Sequence, residues 1–287
     1  VLLLSRVALA APAVTLLLSQ PSGIYQEAAD SLARELDARP GDWKIGFATP
    51  DKPLPLDVDL TVAIGTRALE AALDASGGKP VLSLLVPKLT FDRLASGKHH
   101  VSALYLDQPL TRQLKLLKLA LPGLRQAGVP LGPTSRELQF SLQQAAEESG
   151  VPTRTTMVSK GLELLSTLTG LAEDSQAFLL LPDPVVAQRG TLQSLFLHTY
   201  RLRKPVMAYS APLVESGALL AIYTLPEQAG REAARWIAES WTRGGFLLGM
   251  SRYPNLFSIS VNRSVARSLD LRLPSEDVLS RQLEAMP

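Results

Sequence analysis

Residues 13–36 read AVTLLLSQPSGIYQEAADSLAREL, and this stretch decides the fold. Ala13 to Leu18 is a continuous apolar run without alternation, the mark of a strand buried on both faces of a parallel sheet. Ser19-Gln20-Pro21-Ser22-Gly23 breaks it with turn-forming residues. From Tyr25 onward Ala28, Ala29, Leu32, Ala33 and Leu36 fall on one face at helical spacing. A buried strand, a tight turn and an amphipathic helix in direct succession make the first half of a βαβ unit.

Reading outward, the unit repeats. Pro40-Gly41 ends the helix, and Trp43 to Ala48, Asp59 to Ile64, Pro80 to Val86 and Val101 to Leu106 are the next strands. Gly65-Thr66 opens a helix that runs through Leu73. Leu110 to Leu121 is a helix with Leu110, Leu114, Leu117 and Leu121 on one face, stopped by Pro122-Gly123. The rhythm then begins again. Strands are expected at 126–131, 153–158, 177–181, 205–209, 218–223 and 257–261, with Pro130 pushing its strand toward an edge or an end. Helices are expected at 135–149, 161–171, 191–203 and 227–241, followed by two short ones split at Pro274. Ser135 is read as an N-cap and Gly150 as a C-terminal stop. Two α/β rhythms without a Gly/Ser or Pro linker predict two Rossmann-like lobes, each with a parallel sheet, hinged by strands that cross between them.

Composition agrees. The 287 residues are 46% hydrophobic and 20% charged, enough for two cores and too apolar for disorder. The net charge of +2, from 29 Lys and Arg against 27 Asp and Glu, speaks against a dedicated nucleic-acid binder. Cysteine is absent, which removes disulfides and thiolate chemistry together. At the start, VLLLSRVALA ends on the small-x-small triplet Ala8-Leu9-Ala10. Residues 1–11 therefore read as the remnant of a signal peptide, which places the mature chain in the periplasm. Arg6 within the run favours the competing view, an ordinary apolar strand or helix start. No other stretch has the 18 or so uncharged apolar residues of a membrane span.

No catalytic motif is present: no G-x-S-x-G elbow, P-loop, G-x-G-x-x-G or H-E-x-x-H. His99 and His100 lie in a turn and His198 on a helix surface. With no Cys and three scattered His, neither a metal site nor a cofactor is expected. The polar turns that follow strands carry the binding signal, because open parallel sheets bind ligands beyond their carboxyl ends. Ser22, Tyr25, Gly65, Thr66, Tyr105, Ser135, Asp183 and Tyr209 occupy such turns. Ser22, Thr66 and Ser135 place hydroxyls near helix N-termini, suited to an anionic end. The three tyrosines offer an apolar ring with a polar tip. Asp183, between Pro182 and Pro184, is either the counter-charge for an amine or part of a plain turn.

Several segments resemble the ABC-type substrate-binding proteins that include aromatic amino-acid binders. They are Gln113 to Pro122, the Gly65-Thr66-Arg67-Ala68 turn, Lys204-Pro205-Val206 through Gly217-Ala218-Leu219, Gly230 to Ala234, and Val261-Asn262 through Ala266. Their order holds from about Tyr25 to the end. Two departures, at Pro87-Lys88 and at Val101 to Tyr105, lie near the presumed ligand. The resemblance implies a type I periplasmic-binding-protein architecture, with 12–107 plus 223–255 as lobe one and 108–222 plus 256–287 as lobe two. It implies a monomeric, non-enzymatic protein that closes on a small molecule in the inter-lobe cleft and serves a membrane permease. Two alternatives stand beside it: a sensory or adapter protein of the same fold, possible for an apolar or lipid-like ligand, and an α/β enzyme whose site carries no familiar motif.

Overall fold

The computed structural model describes residues 11–52, 57–242 and 245–286; Val1 to Ala10, the segment read as a signal remnant, lies outside them. The chain divides into two compact units. Unit 1 comprises residues up to 107 together with 224–256, and unit 2 comprises 108–223 together with the residues from 257 onward.

Unit 1 opens with β1 (Ala13–Leu18), α1 (Gly23–Asp37), β2 (Lys44–Ala48), β3 (Leu60–Ile64), α2 (Thr66–Ala75), β4 (Val81–Leu84), α3 (Lys88–Leu94) and β5 (Val101–Leu104). Its five strands pair in parallel in the order β2-β1-β3-β4-β5. Strand β3 is buried along its whole length, and β1 from Val14 onward, as uninterrupted apolar runs require in a sheet covered on both faces. One face packs Leu16, Leu18, Val62 and Leu84 against α1, and the other packs Leu17, Ala63 and Ala103 against α2 and α3.

Unit 2 holds α4 (Leu110–Ala120), β6 (Ala127–Leu131), α5 (Gln139–Ser149), β7 (Thr153–Met157), α6 (Leu164–Asp174), β8 (Ala177–Leu179), α7 (Arg189–Arg201), β9 (Val206–Ala208), α8 (Ala211–Glu215) and β10 (Leu220–Tyr223). The chain then returns to unit 1 for α9 (Pro226–Ser240) and the hairpin β11 (Trp241–Thr242) and β12 (Gly245–Phe246). Unit 2 is completed by β13 (Ser258–Val261), α10 (Arg263–Ser268) and α11 (Glu276–Glu284). Its sheet runs β13-β10-β9-β8-β6-β7, parallel except for β13 against β10. Leu117, Val129, Leu179 and Leu279 fill one face, and Leu168, Phe178, Leu195 and Val206 the other.

The α/β architecture in two parallel-sheet sets is the one the sequence predicts. Two local readings are corrected, and three elements are added. Of the two readings of Pro130 the strand end holds and the edge does not: it is the penultimate residue of β6, an interior strand, and β8 pairs with β6 only at Ala127 and Gly128, before position 130 is reached. Ser135 is not the N-cap of α5: it begins a 3-10 turn, Ser135–Leu138, capped by Thr134, and Leu138 is the N-cap of the helix that follows. Helices α3 and α8 and the β11–β12 hairpin are additions to the sequence reading, too short to impose a period on it.

The return of the chain to unit 1 is secured by α9. Its small residues Ala229, Ala233 and Ala234 lie against Ala28, Ala29 and Leu32 of α1. A Cβ at Gly230 would strike the Ala28 carbonyl, so the helix backbones meet there without an intervening side chain. Ser31 donates its hydroxyl to the Glu227 carbonyl at 2.9 Å. Behind them Trp43, Trp241 and Phe246 form an aromatic group with centroids 4.8–6.5 Å apart.

Candidate functional site

In unit 1 the turns after β1 and β3 are locked to each other. Ser19, buried just past β1, accepts a hydrogen bond from the Ala68 amide at 2.9 Å. It therefore caps α2 from a distant turn, because the residue at the cap position, Gly65, has no side chain to do so. Gly65 has φ +91°, and a Cβ there would come within 2.5 Å of the Tyr25 ring and 2.6 Å of Ser19 Oγ. Only glycine meets both demands. The structure thus brings Tyr25 and Gly65 together, with Thr66 beginning α2 beside them. Ser22 lies on the exposed side of the same turn, accepting from Gln20 Nε2 at 2.7 Å.

Tyr105 stands apart from that group, just past β5. Its ring meets Phe91 at 5.8 Å and Tyr253 at 5.1 Å, both edge-on, and Lys88 Nζ lies 5.3 Å from its centroid. The Tyr105 hydroxyl bonds Ser251. Burial pushes the Tyr105 hydroxyl upward in pKa, and burial next to Asp107 pushes that of Tyr253 up to about 12. Asp107 accepts from the Lys88 amide at 2.5 Å, yet burial still raises its carboxyl above the ordinary range. Burial works to lower Lys88, but its ion pair with Asp92 outweighs this and holds it above the usual lysine value. The sequence reading reached Tyr105 and the Val86-Pro87-Lys88 turn. It missed Asp107 and Tyr253, the second of which comes from a segment far along the chain that bridges to β5 at Leu104.

In unit 2 Ser135 and Asp183 are brought together, and both are turned inward. Asp183 is 5% exposed and Ser135 0%. One Asp183 oxygen accepts from the Thr134 and Ser135 amides at 3.0 and 2.8 Å, and the other from Val185 and Val186 at 2.8 and 3.2 Å. The Ser135 hydroxyl also bonds this carboxylate and accepts from the Gly132 amide at 2.8 Å. Burial works to raise the Asp183 carboxyl, but these donors together hold it below the usual carboxylate range. Four amides and the Ser135 hydroxyl thus already bond this carboxylate, which is engaged by its own loops. Asp183 is the turn-former of the two sequence readings: it organises its own loop and ties it to the β6 turn. Ser135 likewise has no outward hydroxyl for an anionic ligand.

Tyr209, at the carboxyl end of β9, lines a cavity of about 610 Å³ with Ala187, Leu192, Gln193, Ser210 and Pro212. Its hydroxyl has no hydrogen-bond partner among the described residues, and burial followed by the nearby Asp183 charge pushes it up. The side chains lining this cavity include tyrosine, serines and a glutamine but no acid and no base. Among the described residues no group of three or more His, Cys, Asp or Glu could hold a metal ion, and no helix is long and apolar enough to cross a membrane.

These features belong to a ligand-binding α/β protein, and comparison with known proteins identifies the family. Residues 54–242 match the ABC transporter substrate binding proteins, and the chain belongs to that family. It is a substrate-binding protein of ABC transport with the type I periplasmic-binding fold. A substrate-binding protein with adhesive properties from Clostridium difficile, solved ligand-free and open, is 19% identical over 92% of this chain and 96% of its own, with a TM-score of 0.71. A Streptococcus pneumonia ABC domain in complex with L-Trp is 20% identical over 94% and 98%, with a TM-score of 0.60. A Desulfitobacterium hafniense ABC transporter substrate-binding protein is 13% identical over 92% and 99%, with a TM-score of 0.59. No curated protein matches the sequence.

Proposed function

We propose that this chain is the exported, monomeric binding component of an uptake system, that it catalyses no reaction, and that it hands a small, partly apolar molecule to a membrane permease. The observation that carries the reading of the ligand is the uncharged cavity beside Tyr209. A volume of about 610 Å³ suits a small organic molecule. Leu192 and Pro212 offer apolar walls, while Tyr209, Ser210 and Gln193 offer hydrogen bonds without formal charge. In unit 1 the carboxyl-end turn at Tyr25, Gly65 and Thr66, with Ser22 on its outer side, and the Tyr105 group are the surfaces we assign to ligand contact. Ser135 and Asp183 act behind this surface, holding the loops in place. Opening and closing of the two units, the general cycle of periplasmic binding proteins, would couple occupancy to delivery.

Membership of an ABC transport family supports export to the periplasm and a permease partner. Thermal unfolding against a panel of amino acids, thiamine-like bases, short peptides and lipids tests the reading. A ligand at about one hundred times its Kd stabilises the chain by about 2.7 kcal/mol through mass action. Leu192→Trp, which fills the cavity, should cancel that stabilisation. A ligand whose effect survives Leu192→Trp, or one converted to product by the purified protein, overturns it.

A further inference from the structure

Unit 2 has a second cavity, of about 430 Å³, at the opposite pole of its sheet. Gln176 and Pro205, the residues just before β8 and β9, line it, so it opens at the amino ends of the strands and away from the Tyr209 cavity. Leu121, Leu124 and Leu271 supply apolar wall, and Arg203 and Arg272 lie on its lining.

The backbone here is arranged in an unusual way. Helix α7 ends with Arg203 at φ +53°, its amide bonded to Tyr200 O and the next amide to Thr199 O. Helix α10 ends in the same way, with Asp270 at φ +59° bonded to Arg267 O and Leu271 to Ala266 O. Both are Schellman ends, whose left-handed residue is most often glycine because a Cβ is strained there. In each case the position carries a charged residue instead, and the two side chains meet, Arg203 Nη2 to Asp270 Oδ2 at 2.6 Å. That pair is exposed, at 62% and 81%, where an ion pair stabilises a fold little. What the pair does is join the ends of α7 and α10 and set the Arg203 guanidinium and the Asp270 carboxylate on the lining of the cavity. Arg272, two residues beyond Asp270, is exposed and has no ion pair among the described residues.

We propose that this cavity is a second binding site, distinct from the transport ligand's, for an amphiphile with one carboxylate head: the acyl or aryl body lies along Leu121, Leu124 and Leu271, and the head meets Arg272 beside the fixed Arg203. A volume of about 430 Å³ is within the range of small-molecule pockets. Charge complementarity selects an anion, because the cation of the Arg203–Asp270 pair is balanced and that of Arg272 is not.

Titration of the isotope-labelled full chain with decanoate, and separately with decanol, tests this by amide chemical shifts. Decanoate is expected to move the amides of 121, 124, 176 and 269–272. Decanol should bind about tenfold more weakly, since it lacks the charge-assisted hydrogen bond. Arg272→Glu should weaken decanoate by about tenfold or more and leave the thermal midpoint unchanged, its side chain being exposed. Leu124→Trp should remove the response by filling the cavity. Shifts confined to the Tyr209 cavity, no shifts at all, or decanoate and decanol binding equally well to wild type and Arg272→Glu would each overturn the proposal. The result does not depend on the reading of the transport ligand, since the two cavities report through different amides.

Discussion

Among the described residues each unit contains a deeply buried carboxylate spent on backbone donors, Glu232 in unit 1 and Asp183 in unit 2, and the two solve one problem in different places. Glu232 of α9, 3% exposed, accepts from the Asn255 amide at 3.0 and 2.9 Å, from Asn255 Nδ2 at 3.0 Å and from the Leu256 amide at 3.2 Å. Asp183, 5% exposed, accepts from four amides in two loops of unit 2. Both replace missing secondary structure: the amides they satisfy belong to irregular chain that has no ladder to bond with. Glu232 holds the segment that leaves unit 1, whereas Asp183 holds the turn after β6 and its own loop after β8. A carboxylate at the end of a strand therefore invites a ligand-binding interpretation that its geometry does not support. The discriminating fact is the number of donors already spent on it, which a sequence does not display.

The largest expected effects come from removing these groups. Asp183→Ala leaves four amides without an acceptor and should cost about 3–5 kcal/mol, the range for stripping one partner from a buried charged network. Glu232→Ala should cost nearly as much, about 2–4 kcal/mol, because fewer amides depend on it. Denaturant unfolding of the purified variants measures both. A loss under about 1 kcal/mol for Asp183→Ala, together with weakened binding of an amine ligand, would break the comparison and return Asp183 to the ligand site.

Each carboxylate region also contains a glycine that leaves no room for a methyl group. A Cβ at Gly132 would overlap the Asp183 carboxylate, and one at Gly230, two residues from Glu232, would overlap the Ala28 carbonyl. Gly132→Ala and Gly230→Ala should each destabilise by about 1–3 kcal/mol as overpacking. The Asp183 comparison adds a sharper expectation: Gly132→Ala on an Asp183→Ala background should cost less than on wild type, since the obstructing group is gone. A double-mutant cycle reads that coupling, and strict additivity would show that Gly132 is constrained by something other than Asp183.

Acid tests the Asp183 site further. The folded-state pKa of Asp183 is depressed, so the stability it contributes is fully present above its unfolded-state value of about 3.9 and is lost as pH falls through the folded value. Unfolding midpoints followed from pH 6 downward should therefore decline more steeply below about pH 4 for wild type than for Asp183→Ala. Identical acid profiles would mean that the donors around Asp183 do not favour its charged form.

How much of this was legible follows from range. Residues 13–36 announce their strand, turn and helix because the signal is a local period, and the same holds for 110–120 and 226–240. Helix α3 has seven residues and α8 five, less than two full turns each, so no periodicity marks them. At the site, Gly65 was recognisable from its place after a buried strand. The direction of the Ser135 hydroxyl was not, because it is set by Gly132 and by a carboxylate 48 residues away. Tyr105 was found as a tyrosine after a strand, but its partners Tyr253 and Ser251 reach it through a parallel bridge from residue 252 that no local pattern foretells.

The smallest effect on stability is expected at Tyr209, where a change should be read in binding instead. Tyr209 has a half-buried ring and a hydroxyl with no hydrogen-bond partner among the described residues. Tyr209→Phe removes the hydroxyl and keeps the ring against Leu213 and Val214, so the fold should change by no more than about 0.5 kcal/mol. If that hydroxyl bonds the ligand, the variant loses one neutral hydrogen bond, about 0.5–1.5 kcal/mol, or roughly two- to twelvefold in Kd. Asp183→Ala would behave in the opposite way, a large loss of stability with affinity falling only as the loops loosen. Calorimetric titration of Tyr209→Phe with whichever ligand first raises the thermal midpoint measures this. Unchanged affinity at unchanged stability would show that the Tyr209 hydroxyl stays in water, and would move the polar end of the ligand toward Ser210 and Gln193.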